Sequence, residues 1–154
     1  MANANLRQRR QQLSLGQQIG RMSSKHAQLK LTLKRNKVAW TGDWWPHSLS
    51  DTYLIRVSYN LGGRPQIAIL KPHLRLAEGK TKLPHTYAGG QADICVHRPE
   101  EWNPGLYICD TIMPWISQWL RFYEVWQQTG SWEGEGTHPD KESHRRKELA
   151  PGQE

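Results

Sequence analysis

Hydrophobic spacing changes period along the chain. In the Gln-, Arg- and Ser-rich start, Leu6, Leu13, Ile19 and Met22 fall at loose helical intervals. They predict a weakly amphipathic helix over residues 6–25, interrupted by Gly16 and Gly20. The period then drops to two. In "QLKLTLKRNKVAW" Leu29, Leu31 and Leu33 share one face, which predicts a half-buried strand. "TGDWWPHSLSD" is a turn region, and "TYLIRVSY" alternates again, with Tyr53, Ile55, Val57 and Tyr59 on one side. "NLGGRP" reads as a hairpin turn and "QIAILKP" as a third strand closed by Pro72, so residues 29–71 predict a three-strand antiparallel meander. From 72 to 105 periodicity disappears. A loop this long in a compact domain is usually functional or disordered, and Tyr87, Ile94, Val96 and Trp102 argue for order.

The next element is the clearest. In "DTIMPWISQWLRFYEVWQQTG", Ile112, Trp115, Ile116, Trp119, Tyr123 and Trp126 form one stripe at steps of three and four. Asp110 or Thr111 can cap its start, Pro114 is tolerated in its first turn, and Gly130 stops it. Helical spacing assigns the Trp stripe to the core rather than to a ligand platform. After His138 no apolar spacing remains, and residues 139–154 read as a charged, flexible tail.

Composition sharpens this picture. The chain has 154 residues, enough for one domain with its own core, and 36% of them are hydrophobic, so polar ends are expected around a smaller folded centre. Eight Trp and five Tyr stand against one Phe, which gives a core whose large rings need polar partners. The net charge of +7 suits an acidic partner, whether nucleic acid, anionic lipid or protein, and equally suits simple solubility. Arg7, Arg9 and Arg10 can meet phosphates, but a solvated helix face accounts for them as well. Aromatics interleaved with basic residues in the strands would mark a nucleic-acid binder. Here most of them fall on the helix stripe and the turns, so no nucleic-acid partner is expected. No apolar run is long enough to span a bilayer, "MANANLRQRRQQ" lacks a signal-peptide core, and two cysteines make no disulfide framework. A cytoplasmic protein with reduced thiols and no membrane partner is expected.

The chemistry turns on Cys95. As a small hydrophobe flanked by Ile94 and Val96, it can simply be buried. As a metal ligand it would pair with His97, His85, His73 or Cys109, but none of the usual zinc spacings occurs, and no metal or cofactor is expected. As a nucleophile it follows His85 in an irregular, Pro- and Gly-rich segment, where a nearby His can lower the thiol pKa or orient the loop. Position alone does not choose among the three. His26, His47, His138 and His144 fall in turns or the tail and are expected to be solvated, and His73 reads as structural.

The order of elements resembles the ubiquitin-conjugating (UBC-like) fold: an N-terminal helix, an antiparallel β-meander, an active-site flap and a long C-terminal helix. The expected class is α+β, with an arm over 1–28, a conjugating domain over 29–138 and the tail over 139–154. His85 precedes Cys95 by ten positions, "YAGGQADICV" is similar to the family's G-x-I-C-L approach to its active Cys, and "PEEWNPG" is similar to its following Trp segment. "LPHTY", "DICVHRPEEWNP" and "TIMPWISQWLRFYEVWQQTGSWEGEGTH" resemble more closely the stand-alone conjugating-enzyme-like proteins of CBASS antiphage operons. The resemblance implies a cysteine transferase. Cys95 would hold the C-terminus of a cGAS-like (DncV-like) nucleotidyltransferase as a thioester and pass it to an amine, on a protein or small molecule, priming antiphage signalling. His85 would be the flap histidine. The eukaryotic pattern is His-Pro-Asn, whereas this chain reads His85-Thr86-Tyr87, so the oxyanion or flap support passes to Tyr87, His97, Asn103 or backbone N–H groups. No Gly-rich phosphate loop follows a strand, so the acyl donor must be activated elsewhere. The competing reading is a non-catalytic UBC-like protein-binding module in which Cys95 is incidental.

Overall fold

The computed structural model describes residues 11–87 and 90–134. Its elements are helix α1 (Leu15–Lys25), strands β1 (Lys30–Lys34), β2 (Lys37–Trp44), β3 (Tyr53–Asn60) and β4 (Gln66–Lys71), and helix α2 (Ile112–Thr129). The class is α+β, with the strands in one antiparallel sheet of order β1-β2-β3-β4.

Two expectations change. The helix expected over 6–25 is broken within the described residues: Gln11 is helical, residues 12–14 are not, and α1 starts at Leu15. There Ser14 accepts from the Gln17 N–H while the Gln17 side chain accepts from the Ser14 N–H, so the "SLGQ" capping box sets the boundary. Residues 6–10 of that helix lie outside the described residues. The meander has four strands rather than three, because "QLKLTLKRNKVAW" folds back on itself. Arg35, with φ of 52°, and Asn36 form a two-residue turn that pairs Lys34 with Lys37. Leu31 and Leu33 therefore sit on edge strand β1, 40% and 55% exposed, while Val38 and Trp40 of β2 supply the buried face.

The β3 pattern holds as read: Tyr53, Ile55, Val57 and Tyr59 are all buried. So does the α2 stripe. Ile112, Ile116, Trp119, Tyr123 and Trp126 are buried with Met113 and Leu120, in one cluster with the inner faces of β2, β3 and β4. Trp115 is only half-buried. Polar ties fix α2 on the sheet: Trp44 Nε1 donates to Ser117 Oγ at 2.9 Å, and Tyr53 donates its hydroxyl to Glu124 Oε1 at 2.9 Å. Thr111 precedes α2, but its hydroxyl donates to the Tyr107 carbonyl instead of capping the helix. Gly130 ends it in the left-handed region at φ 74°, returning its N–H to Trp126.

Buried Gln18 of α1 joins this helix to the segment before α2, donating to the Leu106 carbonyl at 2.8 Å and accepting from the Ile108 N–H at 2.9 Å. The long irregular segment runs along the β4 edge. Ile69 donates to the Gln91 carbonyl at 2.8 Å and Ile94 to the Ile67 carbonyl at 2.9 Å. The Gln91 side chain reaches the carbonyls of Ile69 and Pro72 and accepts from the Leu74 N–H. One sheet edge is thus covered by the candidate site, and the other, β1, pairs with no further strand among the described residues.

The packing predicts three graded outcomes in urea unfolding. Ser14→Ala should cost about 1 kcal/mol through the lost cap. Ile116→Ala, which opens a cavity under α2, should cost about 2–5 kcal/mol. Leu33→Ser should stay within about 0.5 kcal/mol of the parent, because that leucine lies on the uncovered edge.

Candidate active site around Cys95

The ten-residue spacing between His85 and Cys95 is a hairpin register. Thr86 and Ile94 form an antiparallel bridge, the Tyr87 N–H donates to the Asp93 carbonyl at 2.8 Å, and the Cys95 N–H donates to the His85 carbonyl at 2.8 Å. Tyr87 faces Asp93, and Cys95 is its diagonal neighbour on the same face, within reach of a long side chain. The Cys95 thiol lies 3.5 Å from the Tyr87 hydroxyl and 3.3 Å from the His97 carbonyl. Cys95 is half-buried, whereas Cys109 is buried at 3% exposure, and both are free thiols. Burial, helped by neighbouring Asp110, pushes the Cys109 thiol up.

His85 meets Cys95 through its backbone. Its residue is buried, with φ of 49°, in the left-handed region that non-glycine residues adopt only when surroundings hold them there. Its carbonyl accepts from Cys95 and also from Trp119 Nε1 at 3.1 Å, so α2 and the hairpin share one oxygen. Its ring lies against Trp132, centroids 5.0 Å apart, and Trp132 in turn packs on Trp119 and Phe122.

Of the other sequence candidates, Tyr87 meets the thiol by its side chain and His97 by its backbone. The His97 ring turns toward Trp115 and Trp102, and its Nδ1 contacts the Arg98 carbonyl. Asn103 is engaged in a turn: its Oδ1 accepts from the Gly105 N–H at 2.8 Å, and its hydrogen bonds do not include the thiol. His26, expected to be solvated, is half-buried edge-on to Trp44, and burial with the Lys25 charge lowers its pKa. His47 is exposed as expected, with Nδ1 accepting from the Leu49 N–H and Nε2 3.7 Å from Glu124. His73 is exposed, and His138 and His144 lie outside the described residues. Among the described residues no group of three or more His, Cys, Asp or Glu side chains gathers to hold a metal.

A family model described as "Type II CBASS E2 protein" matches residues 18–139. The chain belongs to that family. The match takes in the sheet, the Cys95 hairpin and α2, and the α+β architecture is consistent with an E2-like fold. A CBASS E2 protein has an E2-like role in CBASS and works with components of its operon. No curated protein matches the chain. No helix among the described residues is long and apolar enough to cross a membrane.

The geometry of this E2 protein adds two residues that sequence reading passed over. Arg64, in the β3–β4 turn, forms a forked pair with Asp93, Nη1 to Oδ1 at 3.2 Å and Nη2 to Oδ2 at 2.9 Å. Its guanidinium lies 4.0 Å above the Tyr87 ring. A 29-residue separation leaves no local pattern by which the pair could be found. Burial, and next the hydrogen bond with Cys95, push the Tyr87 hydroxyl up to about 12, so it stays protonated at neutral pH and can donate.

Thiol accessibility should follow this geometry. Brief iodoacetamide treatment of the native protein should label Cys95 and spare Cys109, which should react only in urea. Peptide mass mapping reads both sites, and equal native labelling of the two would contradict the placement of Cys109.

Proposed function

We propose that this CBASS E2 protein is a conjugating-type acyl-carrier transferase whose carrier atom is Cys95 Sγ. The donor would be the C-terminal carboxyl of a cGAS-like nucleotidyltransferase, delivered as an activated acyl group such as a thioester or acyl adenylate. The observation that carries the reading is the hairpin. It holds a half-buried thiol 3.5 Å from the Tyr87 hydroxyl, while the other cysteine is buried.

The steps follow from thiol chemistry. The Cys95 thiol gives up its proton to solvent, the thiolate attacks the donor carbonyl carbon, a tetrahedral oxyanion forms, and the donor's leaving group departs with the electron pair, leaving a thioester. An amine nitrogen then attacks the same carbon, gives up a proton to solvent, and expels the Cys95 thiolate as the amide bond forms. Thiolate leaves more readily than alkoxide or amide, so a thioester stays reactive toward amines. Product formation would prime the nucleotidyltransferase for antiphage signalling.

Position supports the following residue roles. Tyr87 stands where it can donate to the oxyanion, in place of the asparagine of the eukaryotic motif. The buried ring of His85 and its doubly accepting carbonyl favour a role in shaping the hairpin over proton transfer to the amine. The His97 carbonyl, 3.3 Å from the thiol, orients the resting S–H. The bonds of Asn103 lie in its own turn, which leaves it a weaker candidate for the oxyanion.

Two measurements test the reading. In cells that express the operon's nucleotidyltransferase, Cys95→Lys should accumulate a branched peptide at position 95 ending in the partner's last residue. The Cys95→Ser adduct should be an ester cleaved by mild base, and Cys95→Ala should form none. Absence of any adduct on folded Lys and Ser variants would favour the non-catalytic binding module. With a loaded carrier, Tyr87→Phe should slow aminolysis by about 10²-fold, the usual effect of losing one oxyanion donor. An unchanged rate would remove Tyr87 from the reaction.

A further inference from the structure

The side chains of the forked Arg64–Asp93 pair are partly exposed, 37% and 20%, so solvent screens part of their attraction. Its geometry is nevertheless specific. One guanidinium meets both carboxylate oxygens of Asp93 and stacks on the Tyr87 ring, and Asp93 and Tyr87 face each other across the hairpin that ends in Cys95. A planar fork can do both at once; an ammonium cannot. The turn that presents Arg64 is itself constrained. Gly62 has φ of 83°, a Cβ on Gly63 would meet the Asn60 carbonyl oxygen at 3.2 Å, and Pro65 follows. The guanidinium is therefore delivered from a fixed point on the sheet to a hairpin that extends from its edge.

We propose that Arg64, braced by Asp93, is a positioning residue for transfer: it clamps the Tyr87 ring so that the hydroxyl stays on the carbonyl carried by Cys95. This rests on the reading of Cys95 as the acyl carrier. The clamp acts through Tyr87 and does not itself touch the reacting atoms. Both tetrahedral intermediates place their oxygen at the same carbonyl, so the clamp serves loading and discharge alike. Losing it leaves Tyr87 in place but free to turn, and a displaced donor is worth less than a fixed one.

The test uses the full chain, a glycine-ended peptide thioester as donor and free lysine as acceptor, so no activating enzyme is required. Cys95 exchanges with the peptide thioester, releasing its small thiol, and lysine then takes the peptide as an amide. Cys95→Ala is the control on the carrier: if it still transfers, the carrier reading fails before the clamp is reached. With that control inactive, Arg64→Ala and Asp93→Asn should each slow loading and discharge by about ten-fold, less than full loss of the donor. The half-saturating donor concentration and the far-UV circular dichroism should stay unchanged. Arg64→Lys should fail to rescue, because it keeps the charge and loses the fork. Adding Arg64→Ala to Tyr87→Phe should slow the reaction no further, since the clamp has nothing left to hold. Parental rates in Arg64→Ala, full rescue by Arg64→Lys, or additive losses in the double variant would each overturn the proposal. Loss of the fold in Arg64→Ala, Arg64→Lys and Asp93→Asn alike would also overturn it, by making the pair a folding element.

Discussion

The placement of the thiol depends on one carbonyl oxygen. His85 O accepts the N–H of Cys95 from across the hairpin and the indole N–H of Trp119 from α2. The first bond sets the hairpin register, and the second pins that hairpin to the core helix. The Ile94–Ile67 bond adds the sheet. Three parts of the chain with no local connection are thereby fixed relative to the Cys95 backbone. The left-handed backbone at His85 belongs to the same constraint. Such a conformation costs of order 1–3 kcal/mol in a non-glycine residue, and it persists because the bonds and rings around it leave no alternative.

The tryptophans explain how an irregular segment stays ordered beside a small core. Trp119 buries its ring on the α2 stripe and still presents its N–H to the hairpin; Trp102 packs edge-on to Tyr59 and donates to Thr111 Oγ1 at 3.1 Å. Each ring supplies buried area and one directed hydrogen bond, which a phenylalanine could not do. The side chains of Gln18 and Gln91 do the same work between elements, satisfying backbone groups that no regular ladder reaches. The abundance of indole, phenol and amide groups thus fits a fold in which much of the buried backbone is irregular.

The half of the site that faces the solvent has a different origin. Arg64, Asp93 and Tyr87 come from a sheet turn and from the two arms of the hairpin, and they meet above the sheet edge near the thiol. Cys109, by contrast, is buried just before α2, where burial and next the Asp110 charge push its thiol pKa up. The two cysteines differ in burial, Cys95 half-buried beside Tyr87 and Cys109 enclosed in the core cluster.

Sequence periodicity alone located the α2 stripe, the β3 alternation and the segment that carries the site, because burial on one face of a regular element leaves a fixed spacing in the chain. Family resemblance, carried by contiguous motifs around Cys95, went further and identified the CBASS E2 family that the match over 18–139 shows. The β1–β2 turn was missed, because Leu29, Leu31 and Leu33 carry the alternation of a covered strand and only tertiary packing left the last two uncovered. The "SLGQ" cap was legible and would have placed the α1 start. The hairpin register was half legible: a spacing of ten pairs His85 with Cys95 only if the chain reverses between them, and the bridge of Thr86 with Ile94 decides that. The Arg64–Asp93 pair, its stacking on Tyr87 and the turn of the His85 ring toward Trp132 belong to tertiary structure alone. Contacts between distant residues leave no period in a single sequence, and they exist only once the sheet edge, the hairpin and α2 have been brought together.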